Sequence, residues 1–146
     1  MEVPINYLAV LVSAVAAIVL GMLWYGPLFG KAWIKEVGHT PEDMQRAKTD
    51  PAAKSAMMRS YALMSLTALV MAFVFAHALA FANDYLGASG PVAGLTGAFW
   101  NWLGFVVPPT LAMVLWENRS WKYFFITSGY YLASLAIMGV ILTLWV

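Results

Sequence analysis

Four stretches of this chain carry no Asp, Glu, Lys or Arg, and each is long enough to cross a lipid bilayer. They run over residues 3–30, 60–83, 85–116 and 123–146. A hydrocarbon core about 30 Å thick takes about 20 helical residues. At that depth no water reaches the backbone, so every N–H and C=O must be satisfied inside its own segment, and that selects helices. The reading is all-α. Residues 1–146 form a single domain, a polytopic membrane protein with four transmembrane helices in a bundle. Spans are expected near 5–25, 61–82, 92–116 and 123–145, with short interfacial helices in a cytoplasmic loop over 26–59.

Composition agrees. The 146 residues are 62% hydrophobic and 10% charged, with a mean hydropathy of +0.75. A water-facing surface takes roughly 25–35% charged residues. A net charge of +1 gives no electrostatic footprint for nucleic acid. With no cysteine, disulfides, thiolate metal sites and a cysteine nucleophile are excluded. The first apolar stretch is preceded by Glu2 and by no Lys or Arg. A secretory signal peptide has a basic segment there, so the stretch is expected to be a retained helix.

The distribution of positive charge gives an orientation. Lys31, Lys35, Arg46, Lys48, Lys54 and Arg59 follow the first span, and Arg119 and Lys122 follow the third. These are all eight basic residues of the chain, and with four spans both loops lie on one side. Basic short loops stay in the cytoplasm. Both termini are therefore expected outside.

The 26–59 loop has internal punctuation. Gly26-Pro27 should end the first span, because proline lacks the N–H a helix needs. Residues 28–37 then read as an interfacial helix with Phe29 and Trp33 on one face, Lys31 and Lys35 elsewhere, and Gly38 as its C-terminal cap. Thr40-Pro41-Glu42-Asp43 reads as a helix start. Asp50-Pro51 repeats that logic and opens a turn into the second span. The loop serves either as a partner-binding element or as an anchor on anionic headgroups. Trp24, Tyr25, Phe29, Lys31, Trp33, Trp116, Arg119 and Trp121 read as interfacial anchors at the cytoplasmic boundary. Glu117 and Arg119 are placed to pair at that surface.

Small residues recur at helical spacing in every span. They are Ser13, Ala17 and Gly21; Ala68, Ala72, Ala76 and Ala80; Gly94, Gly97, Asn101 and Gly104; and Gly129, Ala133 and Ala136. Such stripes let membrane helices approach closely, within one protomer or between copies, and a homo-oligomer is expected. Spans one and three run in the same direction. Each ends in Leu-Trp before a basic loop containing Trp, at Leu23-Trp24 and Leu115-Trp116, as a parallel repeat would.

Few groups inside the spans can do chemistry. His77 is the one ionisable residue well inside a span. Asp84 lies seven residues on, on the same helix face, and Asn101, flanked by Trp100 and Trp102, should lie at similar depth. His77, Asp84, Trp100, Asn101 and Trp102 form the candidate ligand site, for a small polar headgroup, a quinone or a proton. The competing reading makes His77 interhelical glue. Pro108-Pro109 should kink or break the third span, as in the broken helices of transporters, or serve packing alone. There is no Gly-rich phosphate loop, no HExxH and no GxSxG. Two distant histidines, His39 and His77, make no metal site. No catalytic residue, metal or cofactor is expected, and the chain does not read as an enzyme.

The run Gly21-Met22-Leu23-Trp24-Tyr25-Gly26-Pro27-Leu28-Phe29-Gly30-Lys31-Ala32-Trp33 resembles the hallmark of a bacterial four-span family, domain of unknown function 1761. Leu115-Trp116-Glu117-Asn118-Arg119-Ser120-Trp121-Lys122, Gly129-Tyr130-Tyr131-Leu132, Met138-Gly139 and Trp145 extend the likeness over nearly the whole chain. The resemblance implies the topology and a bacterial inner membrane, and no reaction. Family members commonly carry His where this chain has Tyr131, so a shared proton-handling role would not extend to that position. Three functions remain: a homo-oligomeric binder of lipid or a small hydrophobic ligand, a small transporter or channel subunit using His77 and Asn101, and an accessory subunit docking through the basic loop.

Overall fold

In a computed structural model, residues 4–145 are described, and helices account for the fold with no strand among them. The first helix, α1 (Tyr7–Leu23), is capped by Asn6, whose carboxamide oxygen accepts from the N–H groups of Leu8 and Ala9, both at 3.1 Å. It ends in a π-helical turn over Trp24–Leu28, where Gly26 leaves helical geometry (φ −100°, ψ −105°) and Pro27 has no N–H to donate. The Phe29 N–H closes that turn onto the Trp24 carbonyl at 2.8 Å. A Cβ on Gly30 would meet the Tyr25 carbonyl oxygen at 2.6 Å, so only glycine fits where the chain turns back.

Three punctuation signals in the loop hold. The interfacial helix α2 (Gly30–Val37) stops at Gly38, which takes the left-handed conformation (φ 78°). The helix α3 (Pro41–Thr49) opens on a reciprocal cap, with the Thr40 hydroxyl accepting from the Asp43 N–H and the Asp43 carboxylate accepting from the Thr40 N–H. The Asp50 carboxylate caps the next helix through the Ala52 N–H at 2.9 Å.

The second span differs from expectation. Asp50-Pro51 opens no separate turn but starts one continuous 36-residue helix, α4 (Pro51–Leu86). At 1.5 Å per residue it is about 54 Å long, well beyond the ~30 Å core. Pro51 sits in its first turn, where its missing N–H costs nothing, and nothing between there and Gly87 (φ 65°) breaks it. The third span is α5 (Gly90–Asn101), a second π-helical turn over Trp102–Val106, and α6 (Val107–Trp116). Pro108-Pro109 therefore interrupts the span without breaking it. The wide turn just before the prolines absorbs the carbonyls they cannot serve. The fourth span, α7 (Trp121–Leu144), is capped by Ser120.

Four helices are long and apolar enough to cross a membrane, over Tyr7–Leu28, Pro51–Leu86, Gly90–Trp116 and Trp121–Leu144. The chain is a multi-pass membrane protein built as a four-helix bundle. The span of the bundle that touches all others is α7, which packs on α1, α4, α5 and α6. The core is made mostly of alanines and one deep Met138, with Ala17, Ala72 and Met138 fully shielded. The end of the bundle bearing every Lys and Arg is called here the basic end, and the opposite one the far end. Every buried residue of α4 lies between Ala68 and Leu79, toward the far end. From 51 to 67 this helix buries nothing, and Met57, Met58, Tyr61, Leu63, Met64 and Leu66 stand exposed.

Nearly all the small-residue stripes are used inside the protomer. Gly94 and Gly139 meet backbone to backbone, and a Cβ on either would collide with the other's carbonyl. Gly97 receives the Leu79 side chain, Gly21 the Tyr130 ring and Gly129 the Trp24 indole. Gly104 alone among these helical glycines has open space around it.

A candidate ligand cavity at the far end

The far end of the bundle is hollow. A cavity of about 980 Å³ opens there between the start of α1, the end of α4, the 87–89 connector, α5 and the end of α7. Its volume is at the top of the range for small-molecule sites, about 300–1,000 Å³. Leu79, Leu142 and Ala9 lie at its base, alanines of α4 and α5 line its walls, and Trp100 and Trp145 line it with their indoles. Its polar groups are Asn6, Asn83, Asp84, Ser89, Thr96, Asn101 and Thr143.

The cavity follows from the packing. The Gly94–Gly139 contact draws α5 hard onto α7. The Leu79 side chain, seated in the notch at Gly97, sets how closely α4 approaches α5. Beyond Leu79, α4 lines the space with Ala80, Ala82, Asn83 and Asp84, and the next large apolar lining residue of this helix is Leu86 at its end, so the space between is not filled. Asn6 fixes the rim by a second bond, its Nδ2 donating to the Trp145 carbonyl at 3.0 Å and tying α1 to the end of α7.

The hydrogen-bond donors of this lining are largely spent. Asn101 Nδ2 donates to the Gly97 carbonyl at 2.8 Å, the Thr96 hydroxyl to Val92 at 2.8 Å and the Thr143 hydroxyl to Gly139 at 2.7 Å. These are back-bonds to the preceding helical turn. The Asp84 carboxylate, the carboxamide oxygen of Asn101 and the side chains of Asn83 and Ser89 remain uncommitted among the described residues, and of these Asp84 alone is charged.

Of the five residues named from sequence, the structure brings three together and sends two elsewhere. Asp84, Trp100 and Asn101 line the cavity. His77 does not. Its Nδ1 lies 2.8 Å from the Phe73 carbonyl, and its ring packs on the Phe73 ring with centroids 4.4 Å apart. A carbonyl can only accept, so Nδ1 carries the proton. At this level of α4 the residues that line the cavity are Ala76, Ala78 and Leu79, and His77 lies on the flank occupied by Phe73. Trp102 is the second departure, since its indole N–H donates into α7, to the Ser128 carbonyl at 2.9 Å and to the Ser128 hydroxyl at 3.1 Å.

Trp102 has a counterpart. Trp24 donates its indole N–H to the Ile126 carbonyl at 2.9 Å, two residues away on the same helix. Each tryptophan starts a π-helical turn with Gly two residues on: Trp24-Tyr25-Gly26-Pro27-Leu28 and Trp102-Leu103-Gly104-Phe105-Val106. The expected repeat therefore has a different register. Trp24 matches Trp102, whereas Trp116, 83% exposed at the end of α6, braces nothing. Trp24 and Tyr25 also pack within the protomer. Tyr25 lies tilted against Tyr130 (5.2 Å) and edge-on to Trp33 (5.3 Å), and Phe29 packs on Trp24 (4.7 Å). Trp121 and Lys31 are exposed as an anchor should be. Arg119 does not pair with Glu117. Its guanidinium lies over the Tyr123 ring at 5.4 Å and reaches the Glu36 carbonyl at 3.5 Å, while the Ser120 hydroxyl donates to the Glu36 carboxylate. These contacts pin α2 to the loop before α7.

Sequence reasoning did not single out the seam between α1 and α7. Tyr130 donates to the Ala17 carbonyl at 3.2 Å across it. Ser13, Thr127 and Ser134 bury their hydroxyls with no partner among the described residues. Thr127, Tyr130 and Ser134 follow one another at helical spacing on α7, a signal present in the sequence.

No group of three or more His, Cys, Asp or Glu residues placed to hold a metal occurs among the described residues. The family described as "Protein of unknown function (DUF1761)" matches residues 8–143, almost the full length of the chain. The chain belongs to this family. The match covers all four spans of the DUF1761 chain, both π-helical turns and most of the cavity lining. No curated protein and no solved structure matches it.

Proposed function

We propose that this DUF1761 protein is a non-enzymatic binder of a lipid or another small hydrophobic ligand, held in the far-end cavity. The observation that carries the reading is the cavity itself, apolar in most of its walls, with a few convergent polar groups at one rim, which is the usual form of a small-molecule site. The eight basic residues at the opposite end support an orientation with that end in the cytoplasm of a bacterial inner membrane. The cavity then opens in the outer leaflet, with the indole of Trp145 at its mouth and that of Trp100 deeper along α5. Self-association belongs to the same reading. Its support is the half of α4 from residue 51 to 67, which buries nothing in the protomer, and not the small-residue stripes, which the protomer uses itself.

Native mass spectrometry of gently extracted protein tests this. A multimer carrying a reproducible added mass is expected, and Ala93→Phe, which fills the cavity from α5, should shed that mass. A bare monomer would overturn the proposal, as would an adduct that Ala93→Phe leaves in place.

A second reading, a small transporter, has one observation in its favour. Spans one and three, parallel to each other, are both interrupted by a π-helical turn braced to α7 within two residues of the same level. Such turns gather at functional sites. Solute flux in proteoliposomes above that of empty vesicles, lost in Trp102→Ala, is its test.

A further inference from the structure

We infer that the ligand of the far-end cavity carries a protonated amine, as a cationic or amine-headed amphiphile. The inference rests on the ligand-binding reading and deepens it. Three observations converge. The Asn101 amide and the Thr96 and Thr143 hydroxyls donate back into their own helices, and the Asn6 amide donates to the Trp145 carbonyl. Asn83 and Ser89 can donate or accept, and the Asp84 carboxylate accepts only. A ligand group that meets the carboxylate must bring its own donor, because polar groups buried without a partner weaken binding.

The charge is also one-sided. Among the described residues Asp84 is the single charged one in the lining, and no Lys or Arg occurs near this end of the bundle. An anionic headgroup would face a carboxylate with no cation to offset it, whereas an ammonium would be matched. Trp145, 43% exposed and lining the same cavity at the end of α7, adds an indole face, a favourable surface for a cation.

Finally, Asp84 is badly placed for the helix that carries it. It lies two residues before the end of α4, in the last turn, where the helix dipole is negative and an acid is disfavoured. It accepts no hydrogen bond among the described residues that would offset this. Helix stability does not explain an acid here, and a cationic ligand does.

The test is native mass spectrometry of the full protein in dodecyl maltoside with three fourteen-carbon probes: tetradecylamine, tetradecanol and tetradecanoic acid. Phosphatidylethanolamine is the fourth. The amine should bind at least tenfold more tightly than the acid. Asp84→Asn should lower amine affinity about tenfold, to the level of the alcohol, with no loss of folding, since it removes an acid from a helix C-terminus. Uptake of phosphatidylethanolamine, also sensitive to Asp84→Asn, assigns the amine to a membrane lipid. Uptake of tetradecylamine alone assigns it to a single-chain amine. Both outcomes uphold the inference. If the alcohol binds and the amine binds no better, or if Asp84→Asn changes nothing, the amine is refuted while the cavity stands. If no probe binds, the ligand-binding reading falls with it.

Discussion

Replacing Gly139 by alanine adds one methyl group at the point where α5 and α7 touch, and it should destabilise the bundle. The added Cβ would collide with the Gly94 carbonyl oxygen and lie 2.8 Å from its carbon and 3.2 Å from its Cα. Those neighbours are backbone and have no rotamer to move into, so the helices themselves must separate. The carbon–carbon contact alone calls for several tenths of an ångström, because such pairs favour about 3.5–4.0 Å. Overpacking of this kind costs about 1–3 kcal/mol. It is offset by the better helix propensity of alanine, up to about 1 kcal/mol. A net loss of about 1–2 kcal/mol is expected, close to a tenfold shift in the folding equilibrium. The control is Gly104→Ala, with nothing within 4 Å of the new Cβ, where only propensity acts and stability should hold or rise slightly. Thermal unfolding of both variants in one detergent, followed by circular dichroism, reads the difference. Gly139→Ala as stable as Gly104→Ala would refute the reasoning that backbone contact sets the α5–α7 spacing.

Trp102→Phe keeps the apolar bulk and removes the indole N–H, leaving Ser128 short of a donor, and should lower stability by about 1 kcal/mol; an unchanged unfolding temperature would show that the brace contributes nothing. His77→Phe should leave any bound mass intact, because the imidazole faces Phe73 and not the cavity, and loss of the adduct on native mass spectrometry would contradict that placement. The Thr40 backbone N–H, helped by its hydroxyl, holds the Asp43 carboxyl below its ordinary value of 3.8. The cap is therefore in place above that value and is lost as pH falls through the lower folded one. Amide exchange at Thr40 should accelerate on acidification over that interval and show no such step in Asp43→Asn.

Much of the architecture is legible in the sequence because membrane constraints are coarse and strict. Charge-free length gave the four spans, and Gly38, Thr40 and Asp50 gave the punctuation of the loop through local chemistry. The misses have local causes as well. Asp50-Pro51 reads as a turn, but proline in a first helical turn is compatible with a long helix, and only the packing partner decides how far α4 runs. His77 and Asp84 share a helix face, yet seven residues put them about 10 Å apart along the axis, and at the lower level that flank is taken up by Phe73, a packing contact that spacing alone does not give. Trp24 and Trp102 look like belt and pocket residues. Their indole N–H groups find carbonyls on α7 through contacts more than twenty residues apart in sequence. The α1–α7 seam is marked in the sequence only by the helical spacing of Thr127, Tyr130 and Ser134, a weak signal because hydroxyls in membrane helices ordinarily bond to their own backbone, as Thr96 does.

The central claim is that the far-end cavity is occupied, and the most direct test is an experimental structure of the protein in a nanodisc of native lipid. The account predicts elongated density between α4 and α5, resting on Leu79 and Leu142 with its polar end at Asp84. Helices closed over an empty space at that end would contradict it.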